Sequence, residues 1–97
     1  MRMDVEEVTR LVNDILIEQL DATMPQLTRD ADLVKDLGAE EEDLGEIDDA
    51  IERTFNIEGF DYAWTVWMET ERPVLLADVI DAVVDALTNV PAEGPGR

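Results

Sequence analysis

The sequence predicts an all-α domain, a four-helix bundle with a long loop between the first two helices and a short third helix. Apolar residues recur at helical spacing in separate segments, and no segment alternates apolar and polar residues over the length of a strand. Caps and breakers separate these segments. With 97 residues, the chain is long enough for one small domain. We predict that domain over residues 1–90, followed by a disordered tail over 91–97 ("PAEGPGR") that offers no core residue.

The first helix is predicted over residues 4–20. Asp4 is a good capping residue, and Glu7 lies three positions later, as in a capping box. The apolar positions that follow keep a helical period and predict one buried face: Val5, Val8, Leu11, Val12, Ile15, Leu16 and Leu20.

A long connection follows the first helix, from Asp21 to Gly38. Pro25 and several aspartates interrupt the helical period, and the closing glycine permits a sharp turn. Because Leu27, Leu33 and Leu37 are apolar, we expect them to pin this loop to the core.

The second helix is predicted from near Glu40 to about Phe55, with a narrow apolar stripe on one face. It opens with four carboxylates in a row, Glu40 to Asp43. Exposed carboxylates near a helix N-terminus interact favourably with the helix dipole, by roughly 0.3–1 kcal/mol each. A solvated helix start therefore explains this run as readily as a functional site does.

Two further helices complete the predicted bundle. Phe60, Trp64, Trp67 and Met68 are spaced as one face of a short third helix, and we expect the two tryptophans in the core. Pro73 suits the first turn of a fourth helix. That helix has a broad apolar face: Leu76, Val79, Ile80, Val83, Val84 and Leu87.

The composition limits both the chemistry and the partners of the chain. Hydrophobic residues make up 45% and aromatic residues only 5%, which predicts an aliphatic core. Cysteine and histidine are absent, which removes thiolate nucleophiles, disulfides and the commonest general base. A net charge of −18 repels nucleic acid and anionic membranes and attracts a basic protein. Without a signal peptide or membrane-spanning run, the expected location is the cytoplasm.

Neither a metal site nor an active site is predicted among the acids. The segment that begins at Asp30 starts like a calcium loop, but Val34 and Lys35 occupy positions that need an oxygen ligand and a glycine. Paired carboxylates can act as acid and base only in a pocket that binds substrate and shifts their pKa values. We expect no enzyme activity and no metal.

The stretch from Leu27 to Ile57, "LTRDADLVKDLGAEEEDLGEIDDAIERTFNI", resembles the acyl and peptidyl carrier protein family. Members have a loop of this type, then Asp-Leu-Gly-Ala, an acidic residue, a serine that receives phosphopantetheine, and a leucine. Here Asp36 to Ala39 match without a gap, and the end of the second helix matches as well. "LLADVIDAVVDAL", Leu75 to Leu87, looks like the family's fourth helix. The resemblance covers roughly Val5 to Leu87 and implies the carrier-protein four-helix fold.

The chain departs from the family at the attachment residue. Counted from Gly38, Glu41 occupies the serine position and Glu42 the leucine position, and the sequence contains no serine. Attachment needs a hydroxyl that forms a stable phosphodiester, whereas a carboxylate would give a hydrolysable acyl phosphate. We therefore expect no phosphopantetheine cofactor. We also expect Trp64 or Trp67 to fill the space that carriers leave between helices for an acyl chain.

These observations predict a non-enzymatic, carrier-like module for protein interaction or regulation. Its partner would be basic, such as an enzyme that recognises carrier proteins, and would bind apolar groups ringed by acids. The predicted binding residues lie on the second helix: Glu41, Glu42, Leu44, Glu46, Ile47 and Asp49. The alternative is an acidic inhibitor, an immunity protein or a nucleic-acid mimic, whose charge blocks a basic partner.

Overall fold

The computed structural model describes residues 4–88 as an all-helical domain, which confirms the predicted class. A 3₁₀ turn, Met24–Gln26, lies in the first connection, and a π-helical turn, Val66–Thr70, continues the third helix. The predicted tail lies outside the described residues. The four helices are α1 (Val5–Leu20), α2 (Glu41–Phe55), α3 (Tyr62–Thr65) and α4 (Leu76–Thr88).

The core forms where the apolar faces of α1, α2 and α4 meet. Its largest fully buried side chains are all leucine, isoleucine or valine, as the composition predicts. Each long helix contributes residues three or four positions apart, so a single stripe of each reaches the interior. These residues are Val8, Val12 and Leu16 from α1, Leu44, Ile47 and Ile51 from α2, and Leu76, Val79, Ile80 and Val83 from α4.

The predicted start of α1 is confirmed. Asp4 Oδ1 accepts a hydrogen bond from the backbone N–H of Glu7 at 3.0 Å, which satisfies one free donor of the first turn. The helix ends at Asp21, whose backbone adopts the left-handed conformation with φ of 58°.

Backbone pairing holds the long loop against the segment that precedes α4. Leu33 N–H donates to the Val74 carbonyl at 2.9 Å, and Leu76 N–H donates to the Ala31 carbonyl at 2.9 Å. Leu33 and Leu37 are buried and Leu27 is half-buried, so the anchoring role predicted for them is confirmed.

The same pairing corrects the predicted start of the fourth helix. Pro73 lies before α4, which begins at Leu76. Val74 is fully buried, and its carbonyl is bonded to the loop. Because this stretch is extended and paired with a distant part of the chain, the helix begins after it.

The third helix turns a different face to the core than the spacing predicts. Ala63 and Val66 are buried, whereas Trp64, Trp67 and Met68 are 38%, 36% and 42% exposed. The prediction of core tryptophans is therefore wrong, and so is the hypothesis that they fill the space between helices. The small side chain of Ala63 lets the backbone of α3 approach α2, which turns the indole rings outward.

Replacing Gly45 with alanine should stabilise the domain. A Cβ there would lie 3.9 Å from Trp64 Cδ1, an ordinary contact, and Gly45 lies inside α2. We expect Gly45→Ala to raise the free energy of unfolding by about 0.5–1 kcal/mol, because alanine loses less backbone entropy in a helix. Urea unfolding followed by circular dichroism measures the change.

Gly38→Ala is the matched control. Gly38 has φ of 78°, so a Cβ there is strained although no atom lies within 4 Å of it. That variant should lose about 1–2 kcal/mol. A loss of stability in Gly45→Ala would contradict the geometry given for α2 and Trp64.

Candidate functional site

The start of α2 is presented to solvent by a short, ordered approach. Gly38 makes the turn with a positive φ, and the buried Ala39 donates its N–H to the Leu33 carbonyl at 2.9 Å. Glu40 then caps the helix, with its N–H donating to Asp43 Oδ2 at 2.9 Å. The next residue, Glu41, is the first of the helix and is exposed.

A surface groove lies beside this helix start. It has a volume of about 450 Å³ and is lined by Glu40, Glu41, Glu42, Gly45 and Trp64. The absence of a side chain at Gly45 leaves the Trp64 ring next to the helix backbone. The groove therefore joins a cluster of carboxylates to one aromatic wall.

The structure separates the six residues predicted to bind a partner into two groups. Glu41, Glu42, Glu46 and Asp49 are exposed and share one face of α2 at 3.6 residues per turn. The two apolar residues, Leu44 and Ile47, are both 0% exposed.

Leu44 and Ile47 belong to the stripe that packs against the rest of the core, so their predicted exposure is wrong. The second helix has a single apolar face, and a small domain needs that face to build its interior. A Leu44→Ala substitution would report on stability and not on binding.

No ion pair to the acidic face of α2 is found in the described part of the chain. The ion pairs found over residues 4–88 both involve Arg10, which lies 2.7 Å from Glu7 and 3.9 Å from Asp14 on α1. The carboxylates of α2 thus remain available to an external cation, and their attraction will fall as salt rises.

Asp48 positions the aromatic wall of the groove and is not among the residues predicted for the site. It is 3% exposed, lies on the buried side of α2 and reaches across to the start of α3. Its Oδ1 accepts the N–H of Ala63 at 3.1 Å and its Oδ2 accepts the N–H of Trp64 at 3.0 Å. One carboxylate from α2 therefore caps α3. The side chain of Asp61, the residue just before α3, makes no capping bond.

A signal for Asp48 is present in the sequence. It lies four residues after Leu44 and three before Ile51, inside the apolar stripe of α2. A carboxylate on an apolar helix face needs hydrogen-bond donors, and those donors come from α3.

The environment of Asp48 changes its acidity. Burial raises the pKa of its carboxyl from 3.8 to about 6, and the charges of Asp61 and Asp49 act in the same direction. The hydrogen bonds from Trp64 and Ala63 lower the pKa but do not offset burial. The buried carboxylate is thus charged at neutral pH and takes up a proton in mildly acidic solution.

Over residues 4–88, no group of three or more acidic side chains is placed to hold a metal ion. None of the helices in that range is long and apolar enough to cross a membrane.

Two curated proteins are similar to this chain, and both are named acyl carrier protein. The one from Guillardia theta is 43% identical over 56 residues, which span 58% of this chain and 69% of that relative. The one from Helicobacter pylori (strain J99) is 35% identical over 74 residues, which span 76% of this chain and 87% of that relative. No family model and no solved structure gives a significant match.

The helical fold, the loop that leads into α2 and these similarities define a carrier-protein domain. The chain belongs to the acyl carrier protein family.

The raised pKa of Asp48 predicts a specific pH dependence of stability. The folded chain binds this proton more tightly than the unfolded chain, so protonation of Asp48 stabilises the fold. This stabilisation is full below pH 3.8 and is lost as pH rises through about 6. Between these values, the free energy of unfolding should fall more steeply with pH in the wild type than in Asp48→Asn. Urea titrations across this range measure both slopes.

Glu46→Gln is the control, since Glu46 is an exposed acid of the same helix and does not contribute to the raised pKa of Asp48. It removes one charge and should keep the wild-type slope. Equal slopes in the wild type and Asp48→Asn would contradict the assignment of this proton to Asp48.

Proposed function

We propose that this domain is a carrier-like module that does not carry phosphopantetheine and works through protein contacts, without catalysis. One observation carries the proposal. The chain has no serine, and the carrier-family pattern counted from Gly38 puts Glu41 at the attachment position. This residue is exposed at the first position of α2, where an attachment residue would be accessible to a modifying enzyme.

The chemistry of Glu41 supports the loss of attachment. A hydroxyl oxygen attacks the phosphoanhydride of coenzyme A, the P–O–P bond breaks with release of the nucleotide half, and the oxygen becomes part of a stable phosphodiester. A carboxylate in its place would form a mixed anhydride, which water cleaves. Threonine is the other aliphatic hydroxyl, and none occurs between Gly38 and Arg53.

The proposed contact surface is the acidic face of α2, made of Glu41, Glu42, Glu46 and Asp49. The four carboxylates are exposed on one side of a helix, and the described residues place no cation within 4 Å of them. A basic protein, such as an enzyme that recognises carriers, fits this surface. Nucleic acid and anionic membranes do not, because the net charge of −18 repels them.

The net charge also favours a second candidate, an acidic inhibitor that covers a basic surface. The two functions differ in where the binding energy lies. A carrier-like contact depends on the acidic face of α2, whereas an inhibitor that works by charge alone depends on all acids about equally and is strongly weakened by salt.

Attachment is tested with coenzyme A, a broad-specificity phosphopantetheinyl transferase and intact-mass measurement. We expect no adduct on the wild type. Glu41→Ser should gain the group, because the surface that presents the residue is retained. Glu42→Ser, one position further on, is the control and should stay unmodified. A stable adduct on the wild type would refute the proposal.

The location of the contact surface is tested by competition. The chain is added to the reaction of the same transferase with a carrier that does have the serine, and inhibition is measured. Replacing Glu41, Glu42, Glu46 and Asp49 with the matching amides should weaken inhibition about tenfold, since exposed ion pairs contribute roughly 0.2–1 kcal/mol each.

The control replaces four exposed acids in and after α1: Glu6, Asp14, Glu18 and Asp21. This variant has the same net charge as the α2 variant and should inhibit nearly as well as the wild type. Equal weakening of both variants would favour the acidic inhibitor instead.

A further inference from the structure

Three large apolar side chains are exposed together on the third helical segment. Trp64, Trp67 and Met68 are 38%, 36% and 42% exposed. Their spacing of three and four residues puts them on one side of α3 and the turn that follows it. Single exposed apolar residues are ordinary, whereas a group of neighbouring ones is a candidate interaction site.

This apolar patch adjoins the acidic face of α2. Trp64 shares the surface groove with Glu41 and Glu42. Its backbone N–H donates to Asp48 Oδ2 at 3.0 Å, which holds the backbone of Trp64 against α2. The two surfaces therefore meet at the groove.

Two further acids lie close to Met68 in the chain. Glu69 is in the turn that carries Met68, Glu71 directly follows that turn, and both are exposed. A ligand for this region must offer apolar groups to the indoles and cations to the neighbouring carboxylates, which form an acidic rim. Lysine and arginine meet the second need, and the guanidinium or ammonium group can also stack on an indole face.

We propose that Trp64, Trp67 and Met68 are the apolar anchor of a docking surface for a partner segment whose apolar side chains are flanked by lysine or arginine. The inference rests on the proposed function and deepens it. It supplies the apolar part of the contact, which Leu44 and Ile47 cannot supply because they are buried.

Charge favours such a partner over a second copy of this chain. Each copy has a net charge of −18. A dimer through this patch would bring the acidic rims of both copies together, which costs free energy without a compensating cation. A basic segment gains from the same rim.

The test uses two synthetic peptides of about four helical turns. The first has leucine and lysine at helical spacing, and the second keeps every lysine but has glutamine in place of leucine. Binding of each labelled peptide is measured by fluorescence anisotropy. The wild type should bind the leucine peptide at least tenfold more tightly, and its two tryptophans should shift their emission to shorter wavelength.

Trp64→Ala and Met68→Ala should each reduce this preference at least threefold while still binding the glutamine peptide. Met24→Ala is the matched control, because Met24 is 60% exposed but lies beside α1. It should keep the full preference. Circular dichroism melting curves of each variant establish that the fold is retained, and the two patch variants provide independent tests.

The outcomes separate this inference from the function on which it rests. Equal binding of both peptides, weakened by salt, would overturn the apolar anchor and leave the acidic surface standing. Failure of both peptides to bind would overturn both. A dimer in sedimentation experiments that Met68→Ala dissociates would show a second copy on the patch and overturn the proposal.

Discussion

The carboxylate of Asp48 is the interaction on which the arrangement of the site depends. It bonds the N–H groups of Ala63 and Trp64, and so joins α2 to the start of α3. A four-residue helix has little stability of its own, because nucleation costs more than so few hydrogen bonds return. The cap from α2 supplies both orientation and stability. Together with the buried side chains of Ala63 and Val66, it places Trp64 beside the groove at the start of α2.

The hydrogen bonds of Asp48 require a carboxylate to be buried, which costs free energy. A buried carboxylate loses hydration, which is why burial raises the pKa of Asp48 to about 6. The two backbone hydrogen bonds recover part of that loss, and neighbouring Asp49 and Asp61 add repulsion. The link between α2 and α3 thus contains a carboxyl group that titrates in mildly acidic solution.

Local sequence signals predicted most of the architecture. Asp4 and the period of α1 located the first helix, and the stripe that ends at Phe55 located the second. Errors arose where distant parts of the chain meet. Leu33 pairs with Val74 and delays α4, which no local pattern reveals.

The candidate site was predicted only in part, for the same reason. Helical spacing predicted the exposed acids of α2, whereas Leu44 and Ile47 were predicted to be exposed and are buried. The face that α3 turns to the core is set by Asp48 and the small Ala63, both contacts across helices. A short segment with apolar residues on several sides does not specify its own orientation.

The domain therefore joins a carrier-protein scaffold to a surface in which carboxylates and the ring of Trp64 line a groove at the start of α2. The central claim is that this surface acts without a phosphopantetheine arm. The most direct test is the intact mass of the chain purified from cells that also express a phosphopantetheinyl transferase and a serine-containing carrier as an internal control. We predict the mass of the unmodified polypeptide beside a fully modified control carrier. A chain that carries the phosphopantetheine mass would contradict the account.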